Sequence, residues 1–337
     1  MNSSINLKEI ARILNVSIST VSKSINNSPE ISPQTKQRVV ELAKQYNYTP
    51  NHIATSLKNR KTNTIGVIVP DILNYFFVKA VHAIVKVAKE NGIKVITCIS
   101  NENSESEIEN VSMLANGSVD GLIISLSKET QQLENYAHID RLIQNKMPVV
   151  LFDRVSESIS CEKIVSDDFL GAYEAVSYLI DSGSQNIGLV AINTDLSVVK
   201  LRVNGYTKAM NDVGIITENK SLFLSDFKNS ETHIAAFLKA NAFDGIFCVD
   251  ERLSVKVLKV AFQLGYKIPQ HFKVIGFSNG ELSEEFYPSL SVVDLHAKTI
   301  GRTAAVTLIE AMASKVLTVN KTTTIPSTLV HRGSTVA

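Results

Sequence analysis

Hydrophobic and polar residues follow two different patterns along this chain of 337 residues. Up to about residue 46, apolar residues recur three and four positions apart, as Leu7, Ile10 and Leu14 do, which is typical of amphipathic helices. From Thr64 onward, short apolar runs alternate with longer amphipathic stretches, which is typical of strands that alternate with helices. The pattern therefore predicts an N-terminal all-α headpiece followed by a large α/β core.

The headpiece pattern predicts three helices, at residues 6–14, 18–25 and 33–46. Asn6 suits the N-cap of the first helix, because its side chain can accept a backbone hydrogen bond while Glu9 returns one to the cap. Asn15 suits a left-handed residue in the following turn, since Asn tolerates that conformation better than most residues. Ser17 and Ser32 are the expected caps of the second and third helices.

Three short helices, the first two joined by a tight turn, are typical of a helix-turn-helix. The second helix of such a motif lies in the major groove with its N-terminal residues at the base edges. Ser17 and Thr20 suit contacts with phosphates, whereas Ile18, Ser19 and Lys23 can reach bases. The alternative is a small helical bundle that binds another protein.

The core pattern predicts two consecutive sets of parallel strands and helices. The first set has strands at 65–70, 94–99, 121–125 and 148–153, with helices near 75–91 and 105–116. The second has strands at 187–191, 221–225, 245–249 and 273–277, with helices near 199–213, 230–240 and 252–264. Two doubly wound sheets imply two lobes with a cleft between them, where a ligand meets the carboxyl ends of the strands.

Charge is distributed unevenly between the predicted parts. Residues 1–60 contain eight Lys and Arg against three acidic residues, whereas the rest of the chain contains 26 against 30. A basic small domain beside a mildly acidic large one suggests that the small domain meets a polyanion such as DNA.

Several classes of protein are not favoured by the sequence. It has no apolar run long enough to span a membrane and begins without an apolar leader, so we expect a soluble cytoplasmic protein. Cys98, Cys161 and Cys248 have no metal or redox spacing and are expected to be buried or partly buried free thiols. We find no phosphate-binding glycine loop, no zinc-hydrolase motif and no nucleophile elbow, so an enzyme, a cofactor and a metal are not expected. A free solute-binding protein is the other alternative.

Specific motifs resemble those of one family of regulators. The headpiece contains VSxxTVSxxxN at Val16–Asn26 and SPQT at the start of the third helix. NYTPN then follows at residues 47–51, and the pair Ser-Leu stands at residues 56–57. Later motifs are VDGLII from Val119, FDR from Phe152, RVNGY from Arg202 and YPSLSVVD from Tyr287. In this order they are similar to the lactose-repressor (LacI/GalR) family. The resemblance implies a helix-turn-helix headpiece at 1–49, a linker at 50–60 and a periplasmic-binding-protein-like core at 61–337.

For the linker, the resemblance implies a hinge helix that orders on operator DNA. The DNA contacts it implies there are Asn51, Ala54, Leu57 and Lys58. Leu57 matches a leucine that wedges into the central base step and kinks the duplex, although it could instead pack between linker and core. Thr55 stands where many relatives have Arg, which puts one minor-groove contact in doubt.

For the core, the resemblance supports an effector site between the lobes. Its expected residues lie at strand ends or on cleft-facing helices: Phe77, Asp153, Arg154, Arg202, Phe227 and Asp250. Carboxylates and arginines suit hydroxyl-rich ligands, and aromatic rings can stack on a sugar or a base. The alternatives are an ordinary core role for the aromatic residues and a surface ion pair for Arg202.

Three core positions depart from the family pattern and make the ligand uncertain. Val249, Ser278 and Leu295 replace an Asn, an Asp and a Gln that are common in relatives, so each change removes a polar group from the expected site. The first lobe is expected at about 61–160 and 293–321, and the second at about 161–292 and 322–337.

Together these observations predict a homodimeric transcriptional repressor that binds a pseudo-palindromic operator. A small-molecule effector, a sugar or related metabolite, would control its affinity for DNA. A dimer is favoured over a tetramer because the chain has no evident C-terminal leucine-heptad tail.

Overall fold

The computed structural model describes residues 5–46, 48, 61–192, 195–225, 227–314 and 320–336. Their contacts separate into two units that divide between Thr62 and Asn63. The predicted extent of the linker, residues 50–60, lies outside the described residues.

In the described part of the N-terminal unit the three helices that the sequence predicted are present: α1 (Leu7–Leu14), α2 (Ile18–Ile25) and α3 (Pro33–Gln45). The capping box is present, because Glu9 N donates to Asn6 Oδ1 at 3.1 Å and Asn6 N donates to Glu9 Oε2 at 2.9 Å. Asn15 ends α1 with φ 51°, the left-handed conformation expected of the turn. Ile10, Val21 and Val39 are fully buried where the three helices meet.

The C-terminal unit alternates strands with helices over its whole described length. Its first half contains β1 (Thr64–Val69), α4 (Tyr75–Glu90), β2 (Lys94–Ile99), α5 (Ser104–Ala115), β3 (Leu122–Ile124), α6 (Lys128–Leu133), α7 (Ala137–Gln144), β4 (Val149–Phe152) and β5 (Glu162–Ser166).

The second half continues the alternation. It contains α8 (Asp168–Asp181), β6 (Ile187–Ile192), α9 (Ser197–Asp212), β7 (Ser221–Leu224), α10 (Ser230–Ala240), β8 (Gly245–Cys248), α11 (Glu251–Gln263), β9 (Lys273–Phe277), α12 (Glu281–Glu285), β10 (Ser291–Asp294), α13 (Ala297–Ala313), β11 (Thr322–Ile325) and β12 (Thr328–Val330).

The strands form two six-stranded sheets, which confirms the predicted doubly wound, two-lobed core. The first sheet is ordered β11-β5-β4-β3-β1-β2 and is parallel throughout. The second is ordered β12-β10-β9-β8-β6-β7 and is parallel except for β12, which runs antiparallel to β10. The central strands are buried, as expected for sheets covered by helices on both faces.

The chain passes between the lobes three times, a few residues from the predicted boundaries. The passages lie between β5 and α8, between β10 and α13, and between β11 and β12. Residues 162–166 and 322–325 therefore belong to the first lobe, whereas the sequence pattern placed them in the second. Their pairing, Thr323 beside Ile164 for example, joins segments about 160 residues apart, and local pattern gives no sign of it.

Two glycines allow helices to approach closely within the lobes. A Cβ atom on Gly301 of α13 would lie 2.2 Å from the carbonyl oxygen of Ala80 in α4. A Cβ atom on Gly205 of α9 would lie 2.4 Å from the carbonyl oxygen of Phe169 in α8. In both cases the neighbour is backbone, which cannot move aside cheaply, so the helix spacing depends on glycine.

The three cysteines are free thiols, as predicted, with Cys161 and Cys248 buried and Cys98 partly buried. Burial raises the pKa of Cys161 to about 11, which keeps this thiol protonated at neutral pH. Among the residues that the structure describes, no helix combines the length and apolar character needed to cross a bilayer.

Gly301→Ala is expected to lower the free energy of unfolding by about 1–3 kcal/mol, because α13 must move away from α4 to accept a methyl group. Urea unfolding of the full chain measures this loss. Arg302→Ala, at the adjacent exposed position of the same helix, is the control. Equal stability of the glycine variant and the native protein would contradict the close packing.

Candidate functional site

The headpiece presents the start of α2 as an exposed polar surface. Ser17 caps this helix, since its Oγ accepts from Thr20 N at 3.0 Å and also contacts the hydroxyls of Ser19 and Thr20. Ser17, Ile18 and Ser19 are exposed, and Ile18 leaves 45% of its surface in solvent despite being apolar. Four of the five predicted DNA contacts, residues 17–20, thus lie together at the start of α2. The fifth, Lys23, lies about one turn further along the helix.

Lys23 is engaged in the described headpiece. Its ammonium pairs with the carboxylate of Glu30, in the segment between α2 and α3. That hydrogen bond lowers the pKa of Glu30. Both side chains are exposed, so solvent screens the pair and a polyanion can compete for Lys23.

The other four predicted DNA contacts, Asn51, Ala54, Leu57 and Lys58, lie outside the described residues. The hinge helix and its leucine wedge therefore stay predictions.

The core contains a cleft of about 580 Å³ between its two lobes, within the usual range of small-molecule sites. All six residues predicted to contact an effector line it: Phe77, Asp153, Arg154, Arg202, Phe227 and Asp250. Their role in binding stays a prediction, but the structure brings them together from both lobes.

Arg202 is held in a buried ion pair. Because α9 begins at Ser197, Arg202 lies in the second turn of this helix. The sequence pattern predicted a helix start near residue 199, which would have placed Arg202 in the first turn. Its Nε donates to Asp168 Oδ1 at 2.7 Å, and its Nη1 donates to the carbonyl of Val249 at 2.8 Å. The guanidinium also lies 4.3 Å from the ring centre of Phe277. Asp168, the partner of Arg202 in this pair, was not identified from the sequence.

Arg154 is neutralised within the first lobe. Its Nη1 donates to Glu102 Oε2 at 2.6 Å, and the same oxygen accepts from the backbone N of Lys128 at 2.9 Å. Sequence reasoning did not find Glu102 or Lys128, both of which line the cleft. Glu102 has φ 61° in the segment before α5, and no motif in the sequence marks it.

Asp153 differs from both arginines because its carboxylate has no hydrogen-bond donor among the described residues. The residue is 8% exposed and follows β4 with φ 59°. Burial raises the pKa of its carboxyl to about 6, partly offset by Arg154 and Arg202, while Asp168 and Glu102 raise it further. The cleft therefore holds a buried acceptor that a ligand can use.

The remaining predicted residues have structural roles as well as cleft positions. Asp250 caps α11, since its Oδ1 accepts from Arg252 N at 2.9 Å and from Leu253 N at 3.3 Å. Phe227 is half-buried beneath Arg252, whose guanidinium lies 4.1 Å from the ring centre. Phe77 is 1% exposed and packs in the core, so it can contribute only a small part of its ring to the cleft surface.

The three departures from the family pattern all line the cleft: Val249, Ser278 and Leu295. Val249 and Leu295 are almost fully buried and apolar, at 1% and 3% exposure. At these two positions the cleft wall offers side chains without polar groups.

Comparisons with known proteins agree with this arrangement. The model of bacterial regulatory proteins of the lacI family matches residues 6–51, and the model of the periplasmic binding protein-like domain matches residues 176–335. The HTH-type transcriptional repressor PurR of Vibrio cholerae is 30% identical over 315 residues, which cover 92% of each chain. The HTH-type transcriptional regulator DegA of Bacillus subtilis is 28% identical over 295 residues, 87% of each chain.

Solved structures show the same fold. The lac repressor dimer bound to operator and the anti-inducer ONPF has a TM-score of 0.87, at 21% identity, and the match covers 99% of this chain and 100% of that chain. A LacI family regulator from Enterococcus faecium with bound ribose has a TM-score of 0.70 at 26% identity, covering 81% of this chain and 98% of that chain.

A helix-turn-helix unit joined to a two-lobed core with a cleft defines a DNA-binding transcriptional regulator. The chain belongs to the lacI family of bacterial regulatory proteins. It is a regulator rather than an enzyme, because its full-length relatives are transcriptional repressors.

Asp153→Asn is expected to stabilise the protein above pH 6 but not near pH 4. Because the folded pKa is about 6 and the ordinary value is 3.8, the native protein loses stability as pH rises through that window. An amide does not titrate, and Asn tolerates a positive φ. At 1.36 kcal/mol per pKa unit, the gain in the free energy of unfolding approaches about 3 kcal/mol.

Urea unfolding at several pH values between 4 and 8 measures this gain. Glu109→Gln is the control, because Glu109 is an exposed acidic residue of the same lobe. A gain for Asp153→Asn that does not change between pH 4 and pH 8 would show that the carboxyl titrates normally.

Proposed function

We propose that the protein is a homodimeric repressor whose affinity for a pseudo-palindromic operator is controlled by a small molecule bound in the cleft. The observation that carries the proposal is Asp153, a buried carboxylate without a donor among the described residues, flanked by two arginines that are already paired. Because Asp153 lines the cleft without a donor from the described residues, a ligand with donor groups can bind its carboxylate directly.

The chemistry of the cleft favours an effector rich in hydroxyl groups. Asp153 accepts hydrogen bonds, the paired arginines can share donors with a ligand oxygen, and Phe227 offers a ring face. The bound ribose of the Enterococcus faecium regulator supports a sugar or a related metabolite. The apolar Val249 and Leu295 in the cleft wall favour a ligand that places an apolar part, such as the C–H face of a sugar, beside them.

The DNA-binding half of the proposal is supported by the exposed start of α2 and by the excess of basic residues in the headpiece. A two-fold dimer would place one headpiece on each half-site, and the solved complex of the lac repressor dimer with its operator supports this arrangement. The linker at 50–60 would couple the headpiece to the core by ordering on operator DNA. An effector changes operator affinity only by favouring one of these coupled states.

Exposed apolar side chains on the first lobe support a second copy as the partner of the core. Val85 of α4 and Ile96 of the edge strand β2 leave 41% and 39% of their surfaces in solvent. An edge strand with exposed apolar residues is prone to pair with another chain, and a dimer interface covers such a surface.

Lys23→Ala is expected to weaken operator binding about 5- to 150-fold and to relax the sequence preference at one position of each half-site. The operator is first selected from random duplexes by gel shift with the full chain. Binding of the variant is then measured on the selected site and on single-base variants. Lys44→Ala, on α3, is the control. A loss that is equal on all sequences would make Lys23 a phosphate contact instead.

Asp153→Asn is expected to weaken effector binding roughly 10- to 150-fold, because a hydrogen bond from the ligand to a charged acceptor becomes one to a neutral amide. The effector is first found by thermal shift of the full chain against sugars and purines. Calorimetry then compares the native protein with Asp153→Asn and with the exposed control Glu109→Gln. Unchanged affinity in the Asp153 variant would place the effector elsewhere.

A further inference from the structure

The helix that carries Arg202 has no N-terminal cap of its own. α9 begins at Ser197, and Leu196, in the N-cap position, has no side-chain acceptor. The N–H groups of a first helical turn need an acceptor from outside the helix. Here the Ser197 N–H donates to Gln131 Oε1 at 3.3 Å.

Gln131 belongs to the opposite lobe. It lies on α6 of the first lobe, 66 residues before Ser197. Its Nε2 donates both to Ser197 Oγ at 2.9 Å and to the carbonyl of Val155 at 2.9 Å. The amide is thus anchored to its own lobe by Val155 while it caps a helix of the other lobe. Beside it, Gln132 Nε2 donates to Asp195 Oδ2 at 3.0 Å across the same gap.

The position of α6 is fixed by carboxylates that come from the segment before α5 and from α5 itself. Glu107 Oε2 accepts from the backbone N of Ser127 at 2.6 Å, and Glu102 Oε2 accepts from the backbone N of Lys128 at 2.9 Å. Glu102 also holds Arg154 in the cleft. The helix that carries Gln131 therefore shares an anchor with a residue of the cleft.

The other rim of the cleft is closed by different contacts. Tyr75 Oη donates to Glu281 Oε1 at 2.9 Å, and Lys79 Nζ donates to the carbonyl of Asn279 at 2.5 Å. Each rim thus has direct hydrogen bonds from one lobe to the other, and opening the cleft must break both sets.

We propose that Gln131 is a positioning residue that caps α9 across the cleft, so that closing the lobes and fixing the helix that carries Arg202 are one step. When the lobes part, the first turn of α9 loses its acceptor and frays. When a ligand holds the lobes together, α9 becomes ordered, and this ordering adds to the stabilisation that the ligand's own contacts with the cleft provide. A role of Gln131 in regulation rests on the proposed function of the cleft as an effector site. The capping of α9 by Gln131 does not depend on that function.

Hydrogen–deuterium exchange of the full chain, without DNA or effector, tests the proposal. Gln131→Ala is expected to raise exchange rates about 2- to 10-fold in peptides covering 195–202, the range for loss of one net hydrogen bond. Because the lobes open as a unit, peptides covering 71–79 and 279–285 on the far rim should also exchange faster. Gln144→Ala, an exposed glutamine of the first lobe, is the control and should change neither.

A second variant separates capping from closure. Leu196 already has the extended backbone of an N-cap, φ −68° and ψ 132°, so Leu196→Ser supplies a local acceptor. Added to Gln131→Ala, it should restore protection at 195–202 while the far rim still exchanges quickly.

Two results would overturn the proposal. Faster exchange confined to 127–133 would make Gln131 only a structural residue of α6, and unchanged exchange everywhere would mean that it caps nothing. Neither result depends on an operator or an effector, so failure of the proposed function would be seen separately.

Discussion

The buried pair of Asp168 and Arg202 is the interaction on which the second side of the cleft depends. It ties the start of α8 to α9, and a further bond from Arg202 reaches the carbonyl of Val249, beyond the end of β8. Two charges removed from water are tolerated only where each has a full set of partners. Here the interacting groups lie at the start of α8, in the second turn of α9 and just beyond the end of β8, so these three segments cannot shift independently.

The charged side chains of the cleft differ in how far their hydrogen-bonding groups are already used by the protein. Arg154 and Arg202 are each held by a carboxylate, whereas Asp153, whose pKa both arginines lower, has a carboxylate with no hydrogen-bond donor among the described residues. A site with neutralised cations and an available acceptor favours ligands that donate hydrogen bonds over ligands that bring negative charge. Val249, Ser278 and Leu295, where the chain departs from its relatives, border the same space and narrow the range of groups that fit.

The elements of this fold are largely predictable from the sequence because they arise from local physics. Each of the signals that predict them lies within a few consecutive residues: the spacing of apolar residues in a helix, capping residues such as Asn6 and Ser17, and the short apolar runs of strands. The contacts of the cleft are different, because Arg154 meets Glu102 across 52 residues and Gln131 meets Ser197 across 66. Resemblance to a family identified Arg202 but not its partner Asp168, since a pairing between distant segments leaves no mark on either one alone.

The last strands of the chain have a consequence for its synthesis. β11 and β12 lie within residues 322–330, yet each forms an edge of a different sheet. α13, which packs on α4, also comes late in the chain. Neither lobe can therefore assemble fully on the ribosome before those residues emerge, whereas the headpiece helices are complete within the first 45 residues. A nascent chain would carry a folded DNA-binding unit for most of its translation before it carried a finished sensor.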